Sequence, residues 1–209
     1  MVTDWIAGLK EELTRSLPGL QAQMRMAPTL LRPGKSNLPL RDSGVLLLLF
    51  PVNERMHTVF MKRPEYGGPH SGQISFPGGK FENGDASLIG TALRESHEEI
   101  GIPGDAVEVL GELTPLVIPV SNFKLQPVVG FLPEKPHFIT DPKEVVYLID
   151  AEINFLLKAG IVKKEILTLG DLAIEVPYYD IHGNHVWGAT AMILSEFLEI
   201  IRRFENLKV

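Results

Sequence analysis

The sequence predicts an α/β fold in which a mixed β-sheet lies between helices on both faces. A continuous apolar run from Gly44 to Val52 is typical of a buried strand. Two amphipathic patterns at helical spacing, Ala86 to Ile100 and Ala189 to Phe204, predict helices with one apolar face each. Because each helix must bury that face on a sheet, the combination favours an α/β/α sandwich.

The segments before and after the first strand have distinct patterns. The first 20 residues predict a helix capped by Thr3, and residues 21–41, rich in proline and basic side chains, predict an extended connector. His57 to Met61 is the predicted hairpin partner of the first strand. A short helix is predicted at 150–157. Further strands are predicted at 107–113, 117–120, 125–132, 143–149, 161–169 and 172–179, with turns at 170–171 and 182–184.

Length and composition limit the classes of protein to consider. We expect one domain over residues 1–209, with a helix and connector at 1–40 and the core at about 40–205. The net charge of −6 gives no basic field that would recruit nucleic acid. The absence of cysteine excludes disulfides, thiol catalysis and cysteine-based zinc sites.

The sequence gives no sign of export or of a membrane span. Residues 1–20 are interrupted by charges and lack the apolar core of a signal peptide. The longest apolar run, Gly44 to Val52, is too short to cross a bilayer. We therefore expect a cytoplasmic protein without a membrane partner.

Three carboxylates are clustered near the end of the first long amphipathic helix. Glu95, Glu98 and Glu99 stand at i, i+3 and i+4, which places them on nearly the same face. Like charges at such spacings destabilise a bare helix by about 0.2–0.5 kcal/mol per pair. Clustered oxygen ligands suit Mg²⁺ or Mn²⁺. This pattern alone does not distinguish a metal site from a solvated acidic face. In both cases we expect the glutamates to point away from the sheet on which the helix packs.

The boundaries of this helix are also predicted. Asp85 is expected to be the N-cap, after a turn at Asn83-Gly84. Gly101, followed by Pro103, predicts a sharp stop at the other end.

The segment resembles the Nudix box, a pattern of glycine, five residues, glutamate, seven residues and then Arg-Glu-U-x-Glu-Glu-x-Gly-U, with U aliphatic. The end of the pattern is matched in full except at Ser96, where the first aliphatic residue is expected. Gly79 and Arg94 are one residue further apart than in the pattern. Asp85 replaces the early glutamate.

The residues before the box resemble the Nudix branch that hydrolyses coenzyme A and its derivatives. Arg63, Gly72 and the run Phe76 to Gly79 match the motif of that branch. Pro64 replaces a serine, and Gly68 stands where a second arginine is usual. Three further segments are similar to the branch: 120–123, 127–131 and 187–191.

The resemblance implies roles for individual residues. It implies metal ligation by Glu95, Glu98 and Glu99, completed by a backbone carbonyl such as that of Gly79, and an orienting role for Arg94. The expected catalytic residues are Glu98, Glu95, Arg94 and Glu144. Glu144 stands well after the box, in the region where Nudix enzymes often carry a further glutamate; the alternative is that it has no role in the site. The expected substrate-binding residues are Arg63, Lys62, Gln73 and Ser75.

The implied activity is hydrolysis of the diphosphate of coenzyme A or an acyl-CoA, dependent on Mg²⁺ or Mn²⁺. One alternative is another Nudix diphosphatase acting on ADP-ribose or nucleoside triphosphates, which Pro115 and Pro119 weakly favour. The other is a non-catalytic Nudix binding module, although such modules usually lose box glutamates that are all present here. The expected partner is a CoA-like small molecule, and a homodimer is left open.

Overall fold

The computed structural model describes residues 2–29, 39–67, 70–119, 121–169 and 172–206. The helices of this part are α1 (Val2–Leu13), α2 (Gly19–Met24), α3 (Leu88–Ile100), α4 (Ile153–Leu156) and α5 (Gly188–Asn206), with a 3₁₀ turn at Gly104–Ala106. The strands are β1 (Arg41–Val52), β2 (Arg55–Lys62), β3 (Ile74–Ser75), β4 (Gly78–Lys80), β5 (Glu108–Glu112), β6 (Leu116–Ile118), β7 (Phe123–Phe131), β8 (Tyr147–Glu152), β9 (Val162–Leu169), β10 (Leu172–Ile181) and β11 (Asn184–Trp187).

A mixed sheet occupies the centre of the described part of the chain. Its main path runs β3-β2-β1-β7-β5, while β4 pairs with β1, β6 with β7 and β8 with β2. The pairing of β1 with β7 is parallel, and the remaining pairings are antiparallel. β9, β10 and β11 form a second, antiparallel sheet. The predicted mixed α/β architecture is confirmed.

The apolar run in β1 supplies both faces of the central sheet, because successive side chains of a strand point to opposite sides. Leu46 and Leu48 pack with Ala92 and Ile100 of α3 in one core cluster. Leu47 and Leu49 belong to a second cluster on the other face, which contains apolar residues of α1 and α5. Helices on both faces make the predicted sandwich.

The two ends of α3 only partly follow the prediction. The helix begins at Leu88, and its N-cap is Ser87, whose hydroxyl accepts a hydrogen bond from the Gly90 amide at 3.1 Å. The prediction of Asp85 as the cap is wrong, because its carboxylate is bound to Arg94 instead. The predicted stop is confirmed, since Gly101 adopts a left-handed conformation with φ of 74°.

Other predicted boundaries moved as well. Thr3 lies inside α1, and part of the predicted connector is helical in α2. That helix is held where the Gln23 amide donates to the buried carboxylate of Glu196 at 2.8 Å. The strand predicted at 143–149 begins at Tyr147, because a turn stabilised by backbone bonds to Asp141 occupies its first half. The short strands β3, β4 and β11 had too little periodicity to be predicted.

Some predictions concern residues outside the described ranges: residues 30–38 of the connector, Gly68 in the position of the usual arginine, Val120 and the Gly170-Asp171 turn. No helix within the described residues is long and apolar enough to cross a membrane.

Candidate active site

The glycine pair of β4 lies directly against α3 and β1. A β-carbon on Gly79 would stand 2.4 Å from the carboxyl carbon of Glu95, and one on Gly78 would stand 2.4 Å from the carbonyl oxygen of Gly44. Gly78 also has a φ of 150°, which side chains with a β-carbon rarely adopt. Position 78 therefore requires glycine, because its closest contacts are with backbone atoms of β1, whereas a β-carbon on Gly79 would displace the carboxylate of Glu95.

Glu99 is buried between α3 and this loop, with 1% of its surface exposed. Its carboxylate accepts a hydrogen bond from the Gly78 amide at 2.7 Å and one from Arg63 Nη2 at 3.1 Å. Burial raises the pKa of Glu99 to about 8, with further upward contributions from Glu95 and Glu144, while Arg63 and the Gly78 amide oppose the rise. Loss of solvation thus outweighs the two partners.

All three box glutamates are expected from the sequence to point outward, and this prediction is wrong for one of them. Glu99 faces the interior, whereas the Glu98 side chain is 54% exposed and lies 3.0 Å from Arg94 Nη1. The exposure of the Glu95 side chain lies between those of Glu98 and Glu99, and its carboxylate lies against Gly79 and 2.9 Å from Arg94. Burial raises the pKa of Glu95, and the charges of Glu98 and Glu144 add to that rise, although Arg94 lowers it.

Arg94 binds two of the glutamates and anchors them to the preceding loop. Its Nε and Nη2 donate to the two carboxylate oxygens of Asp85 at 2.8 and 3.1 Å, and Nη2 also donates to the carbonyl of Lys80 at 3.1 Å. The hydrogen bond from Arg94 is the main reason why the pKa of Asp85 lies well below its usual range. This arrangement fits the orienting role expected of Arg94.

A cavity of about 480 Å³ opens beside these residues. Glu95, Glu99 and Glu144 line one end of it, together with Gly79 and Arg63. Strands β1, β6 and β7, several residues of the segment between β2 and β4, and the start of α5 contribute other parts of the wall. The structure thus gathers four of the predicted residues with the late glutamate.

Glu144 reaches the cavity from the segment before β8. Its amide donates to the Asp141 carbonyl at 3.0 Å, and the Asp141 amide donates to the backbone carbonyl of Glu99 at 3.0 Å. The Val146 amide donates to the carbonyl of Lys62 at 2.8 Å. The loop is therefore fixed to both α3 and β2, which places the carboxylate of Glu144 opposite the box.

The expected substrate-binding residues divide into two groups. Arg63, Gln73 and Ser75 line the cavity, whereas Lys62 does not. Arg63 is held by the protein itself, because its Nε donates to Ser75 Oγ at 3.1 Å and its Nη2 to the Gly78 carbonyl at 2.9 Å. Gln73 pairs with a ring nitrogen of His70 at 3.0 Å.

The donors at the carboxylate end suit a hard divalent cation, since carboxylate and carbonyl oxygens are the ligands that Mg²⁺ and Mn²⁺ prefer. Burial is the main cause of the raised pKa values of Glu95 and Glu99, and repulsion between neighbouring carboxylates adds to it. Among the described residues, however, no three acidic or histidine side chains are already grouped as a metal site. Glu99 is bound instead to Arg63 and the Gly78 amide, while Glu95 and Glu98 share the guanidinium of Arg94.

Two features of the cavity were not anticipated from the sequence. Ser43 of β1 donates its hydroxyl to the carbonyl of Gly79, which fixes the direction of that carbonyl. Arg41 and Phe123, at one end of the cavity, stack with 4.1 Å between the guanidinium carbon and the ring centre. The alternation of β1 brings Arg41, Ser43 and Val45 onto one face, but only the pairing with β7 reveals which face lines a cavity.

Comparison with known proteins identifies relatives over most of the chain. The family described as "NUDIX domain" matches residues 40–168. The chain is 36% identical over 171 residues to the Uncharacterized Nudix hydrolase NudL of Enterobacter sp. (strain 638), covering 80% of this chain and 87% of that protein. The NudL of Citrobacter koseri is 39% identical over 173 residues, with the same coverage.

One solved structure has a similar fold. RenU, a Nudix hydrolase from M. Smegmatis, superposes with a TM-score of 0.55 at 12% identity, covering 85% of this chain and 95% of RenU. At this identity the likeness concerns the fold alone.

Proposed function

From the premise that this chain belongs to the Nudix hydrolase family, we propose that it hydrolyses the diphosphate bond of coenzyme A or an acyl-CoA with Mg²⁺ or Mn²⁺. The products would be adenosine 3′,5′-bisphosphate and 4′-phosphopantetheine or its acyl form. Nudix hydrolases generally use divalent metal ions, which is consistent with an acidic site for an anionic substrate.

One observation carries the hydrolytic part of the proposal. Glu95, Glu99 and Glu144 converge on one end of a cavity beside the carbonyl of Gly79. A diphosphate would be repelled by that end unless positive charge is supplied with it. The residues that would hold the cation are the box glutamates and Gly79, and when bound it would neutralise phosphate oxygens and acidify an attacking water.

The protein side chains have separate tasks in this proposal. Arg94 fixes the directions of Glu95 and Glu98 by charge-assisted hydrogen bonds. Arg63 holds Glu99 and keeps one edge toward the cavity, where it can approach a substrate phosphate. A carboxylate at the cavity end, with Glu144 as the candidate opposite the box, accepts the proton of the attacking water.

The substrate class rests on the segment between Arg63 and Gly79. Of the residues that match the motif of the coenzyme A branch, Arg63, Phe76, Gly78 and Gly79 line the cavity, which supports this substrate class. A cavity of about 480 Å³ falls within the range typical of small-molecule sites.

The proposal is tested by product analysis with a substrate panel. The protein is incubated with CoA, ADP-ribose, NADH and dNTPs plus Mn²⁺, and products are identified by mass spectrometry. We expect kcat/KM to be highest for CoA. In water enriched in ¹⁸O, one of the two new phosphate monoesters should carry the label and the 3′-phosphate should not. A preference for ADP-ribose would remove the substrate assignment, and release of the 3′-phosphate would contradict the mechanism.

A further inference from the structure

The cavity has a second end with a chemical character opposite to the carboxylate end. In the parallel β1–β7 ladder, Arg41 pairs with Phe123 and, two positions on, Ser43 pairs with Leu125; all four residues line the cavity. Ser43 contacts Gly79 beside Glu95. Arg41 stands two positions away on the same face, at a distance of about 7 Å along the strand.

Arg41 is preorganised, and no carboxylate of the described residues neutralises its charge. Its guanidinium stacks on Phe123, and its Nη2 donates to the Ser121 carbonyl at 2.8 Å. Within the described residues, no carboxylate lies at ion-pair distance from Arg41, in contrast to Arg63, which is paired with Glu99. Stacking and one backbone bond fix the direction of the group while its remaining N–H groups stay available.

Ser121 provides an independent observation at the same place. Its side chain lines the cavity, the residue is 6% exposed, and its Oγ has no hydrogen-bond partner among the described residues. Buried hydroxyls are normally hydrogen-bonded, so this one can take a partner that a ligand supplies. An arginine beside an unsatisfied hydroxyl matches a phosphate group, which accepts several hydrogen bonds and carries negative charge.

We propose that Arg41, Phe123 and Ser121 form a subsite for a second anionic group of the substrate, a phosphomonoester one ribose away from the scissile diphosphate. This inference rests on the proposed function, in which the substrate carries a 3′-phosphate. The 5′-linked diphosphate occupies the carboxylate end, and the 3′-phosphate lies two strand positions away at Arg41. Apolar side chains of the cavity, such as Ile118 and Leu125, contact the nucleoside between them.

The test compares CoA with dephospho-CoA, which lacks only the 3′-phosphate. We expect the wild-type ratio of their kcat/KM values to favour CoA. Arg41→Gln should lower that ratio about ten- to a hundredfold, the usual effect of losing a hydrogen bond to a charged group. Ser121→Ala should lower it several-fold without reducing the melting temperature, because it removes a hydroxyl that has no partner in the described part of the chain.

Two variants serve as matched controls. Lys124→Gln removes a positive charge from the adjacent position of β7, on the opposite face, and should keep the wild-type ratio. Lys80→Gln removes a cavity cation that lies beside Gly79 rather than beside Ser121, and should also keep the ratio. If Lys80→Gln or Lys124→Gln changes the ratio as much as Arg41→Gln, the assignment to Arg41 is overturned.

A binding experiment separates this inference from the proposed activity. Calorimetry should show that the wild type binds adenosine 3′,5′-bisphosphate at least tenfold more tightly than AMP, and that Arg41→Gln abolishes the difference. Failure to hydrolyse CoA would sink the proposed function but leave this preference measurable. Equal binding of the two nucleotides by the wild type would refute the subsite even if CoA is hydrolysed.

Discussion

Asp85 and Arg94 form a two-pronged ion pair between the loop after β4 and the second turn of α3, with N–O distances of 2.8 and 3.1 Å. Asp85 also accepts hydrogen bonds from Thr91 Oγ1 at 2.8 Å and from the Glu82 amide at 3.0 Å. The spacing from Asp85 to Arg94 is one residue longer than in the Nudix pattern, and the acid is one methylene shorter than glutamate. The two side chains nevertheless meet at hydrogen-bond distance.

Asp85→Asn should weaken this anchor. The side chain is 5% exposed, and loss of a buried charged hydrogen bond typically costs about 1.5–3 kcal/mol. We expect a lower melting temperature and a reduced kcat, because Arg94 would no longer be held while it orients Glu95 and Glu98. Thermal unfolding and steady-state kinetics measure both effects. Asp105→Asn, at an exposed position after α3, is the control, and equal losses in the two variants would contradict the role of Asp85.

Gly79→Ala should abolish activity, because the new methyl group would overlap the carboxylate of Glu95. Either that carboxylate or the strand must move, and both belong to the site. Gly84→Ala is the matched control, since a β-carbon there meets nothing within 4 Å. Kinetics and thermal unfolding of both variants distinguish the two positions. Wild-type kcat in Gly79→Ala would show that the contact has no functional consequence.

The metal-free protein should become less stable as the pH rises toward 8. The folded-state pKa of Glu99 is about 8, compared with an ordinary value of 4.5, so folding takes up a proton between these values. The corresponding stability is fully present below about pH 4.5 and is lost as the pH rises through 8. The contribution of Glu99 to the free energy of unfolding is on the order of a few kcal/mol. Denaturation in EDTA at pH 5–9 measures it.

Glu99→Gln supplies the control for that pH dependence. Glutamine resembles the protonated acid and cannot ionise, so the variant should be more stable than the wild type at pH 9 and nearly equal at pH 5. Glu98→Gln, which alters a half-exposed side chain, should retain the slope of the wild type. Parallel slopes for wild type and Glu99→Gln would disprove the assignment.

Metal binding should release protons, because a ligand must give up its proton to bind a cation. Glu99 is largely protonated at pH 7, so binding of Mg²⁺ or Mn²⁺ should tighten from pH 6 to pH 8. Calorimetry in two buffers of different ionisation enthalpy counts the protons released. EDTA should abolish activity, and either metal should restore it. Full activity after exhaustive chelation would exclude a metal requirement.

Glu98→Gln should lower kcat by about 10²–10⁴-fold while the fold is preserved, since its half-exposed carboxylate makes one ion pair, to Arg94. Circular dichroism checks the fold, and single-turnover kinetics separate the chemical step from binding. Glu82→Gln, an exposed acid before the helix, is the control. A wild-type rate for Glu98→Gln would remove this residue from the metal site and from catalysis.

The sequence predicted the elements whose patterns are long. The apolar run of β1 and the seams of α3 and α5 appear at nearly the predicted bounds, because their burial follows simple periodicity. The glycine stop at Gly101 was also predictable, since the left-handed conformation favours this residue type. The first residues of α3 and β8 could not be predicted, because Asp85 and Asp141 form tertiary contacts that local sequence patterns do not indicate.

The orientation of the glutamates marks the limit of spacing arguments. At 3.6 residues per turn, adjacent residues such as Glu98 and Glu99 diverge by about 100°. Glu99 lies near the direction of Ala92 and Ser96, which are buried, while Glu98 turns to the open side. A helical projection would have predicted the burial of one glutamate. The partners of Glu99, Arg63 and the Gly78 amide, required the structure.

The last helix gives the cavity a boundary beyond the segment matched by the family. Ala189, Thr190 and Ile193 of α5 line the cavity, and Thr190 Oγ1 donates to the backbone of Ile74 at 3.0 Å. The family match ends at residue 168. A chain shortened to that limit would contain every box glutamate, yet it would lack the part of the cavity wall that α5 supplies.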